Sequence, residues 1–192
     1  LSRELLASRT QALFAAFAFA LLPRGFKWGV MGGGLTRSLG FVFALLTARQ
    51  AYLLFKRSEL RLAASTAIFG SLTVLSHPEM TALAVISAGV LFLFLGRHRE
   101  GVLGSALVAA LVLVLTAPWW GTVVSRHGLS PFLAATGTGN RGWSLWAPLL
   151  TFSFAEEPFL GLLSAAGLLG HGLLVRRRES LLPAWLVAIF IL

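Results

Sequence analysis

Residues capable of binding an anionic ligand are concentrated in three short stretches of this largely apolar sequence. The first stretch is Gly32-Gly33-Gly34, followed by an apolar segment with Arg37 near its start. The free N–H groups at a helix N-terminus attract anions, and a guanidinium binds phosphate through two parallel hydrogen bonds. We therefore predict an anion-binding site that includes Gly33, Gly34 and Arg37. The alternative is a flexible turn from which Arg37 extends to lipid headgroups.

The second stretch is Ser76-His77-Pro78-Glu79, which combines an imidazole with a carboxylate. His77 is a candidate ligand for phosphate or metal, and Glu79 is a candidate general base or metal ligand. The alternative is a capping box, in which Glu79 bonds back to the backbone of Ser76 while Pro78 occupies the first helical turn. His77 also ends a polar stripe that is expected to face the interior of a helix bundle. The stripe consists of Thr66, Gly70, Thr73 and His77.

The third stretch, residues 118–157, is long and has tryptophans near both ends. These indoles are expected either to stack on a sugar or isoprenoid ligand or to form an interfacial aromatic belt. Glu156 and Glu157 are candidate ligands for a divalent cation, Mg²⁺ or Mn²⁺, with the alternative that they complement the dipole of a following helix. The candidate substrate-binding residues of this stretch are Trp119, Trp120, His127 and Arg141.

The composition predicts that a membrane-embedded bundle positions these residues. Of the 192 residues, 57% are hydrophobic and 12% are charged, against a globular norm of ~25% charged residues. The net charge is +9, but the basic residues occur in short islands between apolar runs. This pattern argues against a soluble domain and against nucleic-acid binding. The chain contains no cysteine, which excludes disulfides and thiolate metal sites within it.

Seven segments approach the ~20 apolar residues that cross a bilayer as a helix. The predicted fold class is therefore all-α, a polytopic transmembrane bundle formed by a single domain over residues 1–192. A shorter apolar stretch, residues 143–155, is expected to be interfacial or re-entrant because Pro148 interrupts it. The chain begins without Met and stops inside an apolar run, so we expect a fragment of a longer protein. The expected spans are residues 5–22, 35–55, 60–76, 78–96, 101–118, 158–175 and 181–192.

Small residues at a spacing of four predict close packing between the helices. Such residues let helix backbones approach each other, which is a main source of association between helices in lipid. The second expected span contains Gly40, Ala44 and Ala48 along one ridge, and the third contains Ala63 and Ala67.

The basic residues predict which side of the membrane each connection faces. With strictly alternating spans, eleven of the sixteen Lys and Arg residues lie on one side. An excess of Lys and Arg in short loops marks the cytoplasmic side. Residues 56–61, 97–99 and 176–178 are therefore predicted to be cytoplasmic. The three candidate stretches face outward, and residues 118–157 form a long extracytoplasmic loop.

Several short motifs follow one another on the outward side. They are Leu22-Pro23, Gly32-Gly33-Gly34-Leu35-Thr36-Arg37-Ser38-Leu39-Gly40, Leu75-Ser76-His77-Pro78-Glu79, Ala117-Pro118-Trp119-Trp120 and Arg126-His127-Gly128. In this order the motifs resemble those of bacterial and archaeal polytopic proteins related to the GT-C glycosyltransferases. That group includes oligosaccharyltransferase catalytic subunits and mannosyl- or aminoarabinose-transferases. The resemblance covers about residues 1–160.

The resemblance implies a hexosyltransferase-class enzyme of a prokaryotic plasma membrane, with an outward-facing site for a polyprenyl-phosphate-linked sugar and, in some members, a divalent cation. Arg37 and Arg141 would then hold the phosphate, while His77 and Glu79 would line the cavity. The catalytic acid of that family usually lies in the first outward loop. All seven acidic residues here are Glu, so either that acid lies upstream of Leu1 or the chain is not an active transferase.

A non-enzymatic function is the alternative: a transporter, a flippase or a scaffold subunit. In a transporter, the polar stripe that ends at His77 would belong to the permeation path. The expected spans contain few ionisable residues at mid-depth, where coupling groups of a transporter are expected.

A reporter placed after Arg178 tests the predicted sidedness. Because the chain has no native cysteine, a single cysteine inserted there is the only reactive thiol within these 192 residues. We expect a membrane-impermeant maleimide to label it only after the cells are opened. The control is His127→Cys, which should be labelled in intact cells. Labelling after Arg178 in intact cells would contradict the topology.

Overall fold

The computed structural model describes residues 2–6, 8–20, 34–137, 167, 169–170, 172–173 and 180–191. Within these ranges the ordered elements are all helices, with no strand, which confirms the predicted all-α class. The expected interfacial segment at 143–155 lies outside them. The helices are α1 (Ser2–Leu5), α2 (Arg9–Ala20), α3 (Gly34–Arg57), α4 (Leu60–Ser76), α5 (Pro78–Leu95), α6 (Arg99–His127), α7 (Ser130–Gly137) and α8 (Leu181–Ile191).

Among the described residues, three helices, α3, α5 and α6, are long and apolar enough to cross a membrane, judged by length and composition. Helix α4 is also apolar but has 17 residues, and the described parts of α2 and α8 have 12 and 11. These three are shorter than the ~20 residues of an ordinary span. Most of the predicted span at 158–175 lies outside the described residues. The structure therefore supports three of the seven predicted spans.

Short connections make α3 to α6 run up and down through one bundle. Helix α3 ends where Ser58 adopts a positive φ of 54° and donates its N–H to the carbonyl of Leu54, a left-handed termination common at helix ends. His77 alone joins α4 to α5, and Pro78 occupies the first position of α5, where its missing N–H is not needed. Helix α3 packs on α4 and α5, α4 also packs on α6, and α8 packs on α5.

The small residues expected to pack between helices are buried. Ala44 and Ala48 of α3 are inaccessible or nearly so, as are Ala63 and Ala67 of α4. Larger apolar side chains, among them Tyr52, Leu54, Phe55, Leu91 and Trp185, form a core cluster with Ala48 and Ala63. The indole N–H of Trp185 donates to the buried hydroxyl of Ser87 at 2.9 Å, which joins α8 to α5.

His98 joins two helices, a contact that no sequence motif predicted. Its Nδ1 accepts a hydrogen bond from the N–H of Gly101 at 3.0 Å and so caps α6. Its Nε2 lies 3.1 Å from the carbonyl oxygen of Phe55, near the end of α3. A hydrogen on Nε2 and a lone pair on Nδ1 satisfy both contacts, and the Glu100 carboxylate also lies 3.2 Å from Nδ1. Gly101 is required because a Cβ there would lie 2.2 Å from the carbonyl oxygen of Gly96.

Helix α6 corrects the expectation that the fifth span ends at Pro118. The helix continues to His127, and α7 follows directly, so residues 118–137 are largely helical rather than a loop. A proline removes one backbone donor, here the N–H that would bond the carbonyl of Val114. Two side chains bond neighbouring carbonyls of the same turn: the hydroxyl of Thr116 donates to Val112 O, and the indole N–H of Trp120 donates to Leu113 O at 3.0 Å. Membrane helices tolerate proline more readily than helices in water.

Ala67→Leu tests the close packing of α4 within the bundle. Because Ala67 is 0% exposed, three additional carbons must push neighbouring helices apart. We expect the free energy of unfolding to fall by about 1–3 kcal/mol, measured as a lower melting temperature in detergent. Ala64→Leu makes the same change at an exposed position of α4 and should be nearly neutral. Equal melting temperatures for the two variants would contradict this packing.

Candidate functional site

Arg37 and Glu79 form an ion pair between the N-terminal ends of α3 and α5. Arg37 Nη2 donates to Glu79 Oε2 at 2.5 Å, and the two side chains are 31% and 55% exposed. Both helices begin on the same side of the bundle because α4 runs between them in the opposite direction. The ion pair therefore brings together two of the three stretches in which the sequence predicted ligand-binding residues.

The capping box offered as an alternative for Ser76 and Glu79 is wrong. Ser76 is the last residue of α4, and its hydroxyl donates to the carbonyl of Leu72 at 2.6 Å. His77 is the N-cap residue of α5, and its side chain makes no capping bond. The Glu79 carboxylate is bonded instead to a guanidinium, a charge-assisted interaction roughly twice as strong as a neutral hydrogen bond.

His77 lies against the backbone of α3 beside this ion pair. A Cβ built at Gly40 would lie 3.0 Å from the Cβ of His77 and 3.2 Å from that of Met80. The glycine therefore permits a contact that a larger residue would force apart. Within the described part of the chain, His77 Nδ1 is buried and has no hydrogen-bond partner. Because a buried polar atom normally has a partner, this nitrogen is consistent with a ligand-binding role.

A cavity of about 550 Å³ lies between α5 and α6, with α3 and α4 as its floor. Helices α5 and α6 both pack on α4, but within the described helices they make little contact with one another. The cavity reaches Thr81, whose hydroxyl donates to the carbonyl of His77 at 3.0 Å. It therefore begins about one helical turn from the Arg37–Glu79 pair and His77.

The cavity is lined almost entirely by apolar atoms although five hydroxyl residues reach it. Each hydroxyl donates to the backbone carbonyl four residues earlier in its own helix, so its proton is not offered to the cavity. The predicted polar stripe does face the bundle interior, because Thr66 and Thr73 are 2% and 0% exposed. The five hydroxyl residues are Thr47, Thr66, Thr73, Thr81 and Ser105.

The remaining predicted residues divide into two groups. Trp119 packs edge to face on Phe132 of α7, Trp120 bonds to its own helix, and His127 lies exposed in the last turn of α6. Gly34 is the buried first residue of α3. The predicted residues outside the described ranges are Gly33, Arg141, Glu156 and Glu157.

Neither a metal-ligand cluster in the described residues nor a known relative points to a function. No group of three or more His, Cys, Asp or Glu residues in the described ranges is arranged to hold a metal ion. Comparisons of the chain with protein families, with curated proteins and with solved structures find no match. Arg37, Glu79 and His77 are therefore the basis for inferring a function.

A double-mutant cycle tests the Arg37–Glu79 pair. Exposed ion pairs contribute ~0.2–1 kcal/mol, and we expect a coupling energy in that range from melting curves of Arg37→Gln, Glu79→Gln and the double variant. The coupling should shrink at high ionic strength because salt screens exposed charges. The matched control is the same cycle of substitutions at the pair between Arg49 and Glu4, whose charged groups lie 3.2 Å apart. Zero coupling at low salt would show that Arg37 and Glu79 are not paired.

Proposed function

We propose that this chain belongs to a polytopic membrane glycosyltransferase of the GT-C type. The enzyme transfers a sugar from a polyprenyl-phosphate carrier to an acceptor on the extracytoplasmic face of a prokaryotic plasma membrane. The lysine- and arginine-rich connections at 56–61, 97–99 and 176–178 face the cytoplasm in this proposal, and the end of the bundle that carries His77 faces outward.

The observation that carries the proposal is the convergence of Arg37, Glu79 and His77. The ion pair joins residues 42 positions apart, on two different helices, and His77 immediately precedes the helix that carries Glu79. A guanidinium at the end of an apolar bundle is suited to a ligand whose phosphate lies at the membrane surface. A guanidinium has five N–H donors, so Arg37 can bind a phosphate while the Glu79 carboxylate still holds it.

The chemistry assigns different tasks to these residues. The acceptor hydroxyl attacks the anomeric carbon of the sugar, the bond from that carbon to the phosphate oxygen breaks, and the polyprenyl phosphate leaves with the bonding electrons. A general base takes the hydroxyl proton. Arg37 stabilises the charge on the leaving phosphate, and Glu79 acts as the positioning residue that orients the guanidinium. The base is proposed to be the acid upstream of Leu1 that the resemblance implies.

A divalent cation, Mg²⁺ or Mn²⁺, is a further part of the proposal. Its proposed ligands, Glu156 and Glu157, lie outside the described residues. Carboxylate oxygens are suitable ligands for such hard cations. When bound, the cation supplies positive charge at the phosphate, the same task that Arg37 performs. Arg141 and Gly33 are likewise proposed to contact the phosphate, and the exposed His127 is proposed to contact the polar part of the donor.

The transporter alternative is less well supported by the cavity. A permeation path for a polar solute needs donors and acceptors along its depth, and ionisable residues are its usual coupling groups. No ionisable residue lines the described cavity. Its hydroxyl protons are all engaged by their own helices. These observations favour chemistry at one end of the bundle over passage through it.

Arg37→Ala tests the proposal in the full-length protein. We expect transfer of radiolabelled hexose from a polyprenyl-phosphate carrier to be abolished in membranes that contain normal amounts of the variant. The loss follows because one oriented charge on the leaving group contributes ~10²–10³-fold to the rate in comparable sites. Arg57→Ala, at the exposed opposite end of the same helix, is the control and should retain activity.

The same assay separates the alternatives. Normal transfer by Arg37→Ala would remove this residue from the mechanism. A transporter would instead be sensitive to substitutions along the depth of the bundle and on both faces. Glu79→Gln should keep part of the activity, since an amide oxygen still accepts a hydrogen bond from Arg37.

A further inference from the structure

We infer that the cavity between α5 and α6 is a binding site for one acyl chain of a bilayer glycerophospholipid, taken from the leaflet on the side of His77. The chain enters sideways, between the two helices. The inference rests on the membrane placement in the proposed function but not on sugar transfer.

The lateral opening follows from the packing order of the helices. Helices α5 and α6 stand on α4 and are separated by the cavity. Val85 of α5 and Leu113 of α6, both among the residues that line it, are also strongly exposed. The apolar lining is therefore continuous with the apolar outer surface of two helices that are long enough to cross the bilayer. A hydrocarbon chain can pass between surface and cavity without crossing a polar barrier.

The lining of the cavity favours a hydrocarbon chain over water or a polar ligand. The hydroxyl protons on the lining are used within their own helices, so few polar groups remain to hold water. A water molecule needs two to four polar partners to be stable in a cavity. An empty apolar space of about 550 Å³ would forfeit many dispersion contacts. A flexible apolar chain recovers those contacts.

The cavity extends along most of α5, from Thr81 to Phe92, but its opening at Val85 lies nearer the His77 end of that helix. The opening at Val85 lies seven residues beyond Pro78, or about 10 Å below the His77 end of the bundle at 1.5 Å per residue. Half of a hydrocarbon core of roughly 30 Å is about 15 Å. An acyl chain anchored in the headgroup region on the His77 side therefore reaches the opening before it reaches the middle of the bilayer.

Two matched glycine substitutions test the inference. A Cβ at Gly89, which lines the cavity, meets nothing within 4 Å, and the same holds at Gly121 of α6, which is not part of the lining. Gly89→Leu therefore fills cavity space, whereas Gly121→Leu makes the same change elsewhere. Both gain the same helix propensity, and melting curves verify that both fold.

The probe is phosphatidylglycerol with a diazirine midway along one acyl chain, in vesicles that contain the reconstituted full-length protein. After illumination, mass spectrometry maps the labelled residues. We expect labelling at the α5 and α6 cavity walls in the unmodified protein. This labelling should fall several-fold in Gly89→Leu and remain unchanged in Gly121→Leu.

Two results would overturn the inference. One is labelling spread evenly over the outer apolar surface and unaffected by Gly89→Leu, which identifies ordinary annular lipid. The other is loss of the cavity labelling when polyprenyl phosphate is added at an equal concentration, which identifies the carrier as the occupant. Neither result alters the outcome of the Arg37→Ala transfer assay, so the two proposals fail independently.

Discussion

The close packing of α4 in the bundle is the constraint on which the other contacts depend. Its Ala63 and Ala67 are almost inaccessible, and in lipid such packing replaces the hydrophobic driving force available in water. Because α4 is joined to α5 by His77 alone, the position of α4 also sets where α5 begins. The first turn of α5 then lies beside the first turns of α3. The Arg37–Glu79 ion pair is thus a consequence of small residues buried elsewhere in the bundle.

Gly40 contributes both to the packing of the helices and to the position of His77. It belongs to the ridge of small residues on α3, and its missing side chain also leaves room for His77. Larger residues at this position would displace the turn that holds both His77 and Glu79. The pair itself adds little stability at its degree of exposure. The geometry of the site is consequently held by apolar packing rather than by the ion pair.

The sequence predicted those features that depend on periodicity along one helix. The all-α class, the small-residue ridge and the burial of Thr66 and Thr73 follow from spacings of three and four residues. The contact between Arg37 and Glu79 depends on how two helices are rotated against each other, which local spacing does not encode. The capping box is the interpretation of Glu79 that local spacing favours, and only the position of α3 excludes it. Pro118 is a usual signal for a helix end, but α6 continues through it to His127.

The cavity is apolar and the charged pair lies at one end of the bundle. This separation follows from where the hydroxyl groups find their hydrogen-bond acceptors. Threonine and serine side chains within a helix reach the carbonyl four residues back, so polar residues inside the bundle do not make its cavity polar. A charged side chain has no such local solution and must remain near the end of a helix or be paired. Arg37 and Glu79 satisfy both conditions. The same bundle therefore has an apolar cavity along its length and the Arg37–Glu79 ion pair at one end. This arrangement is suited to amphiphilic molecules.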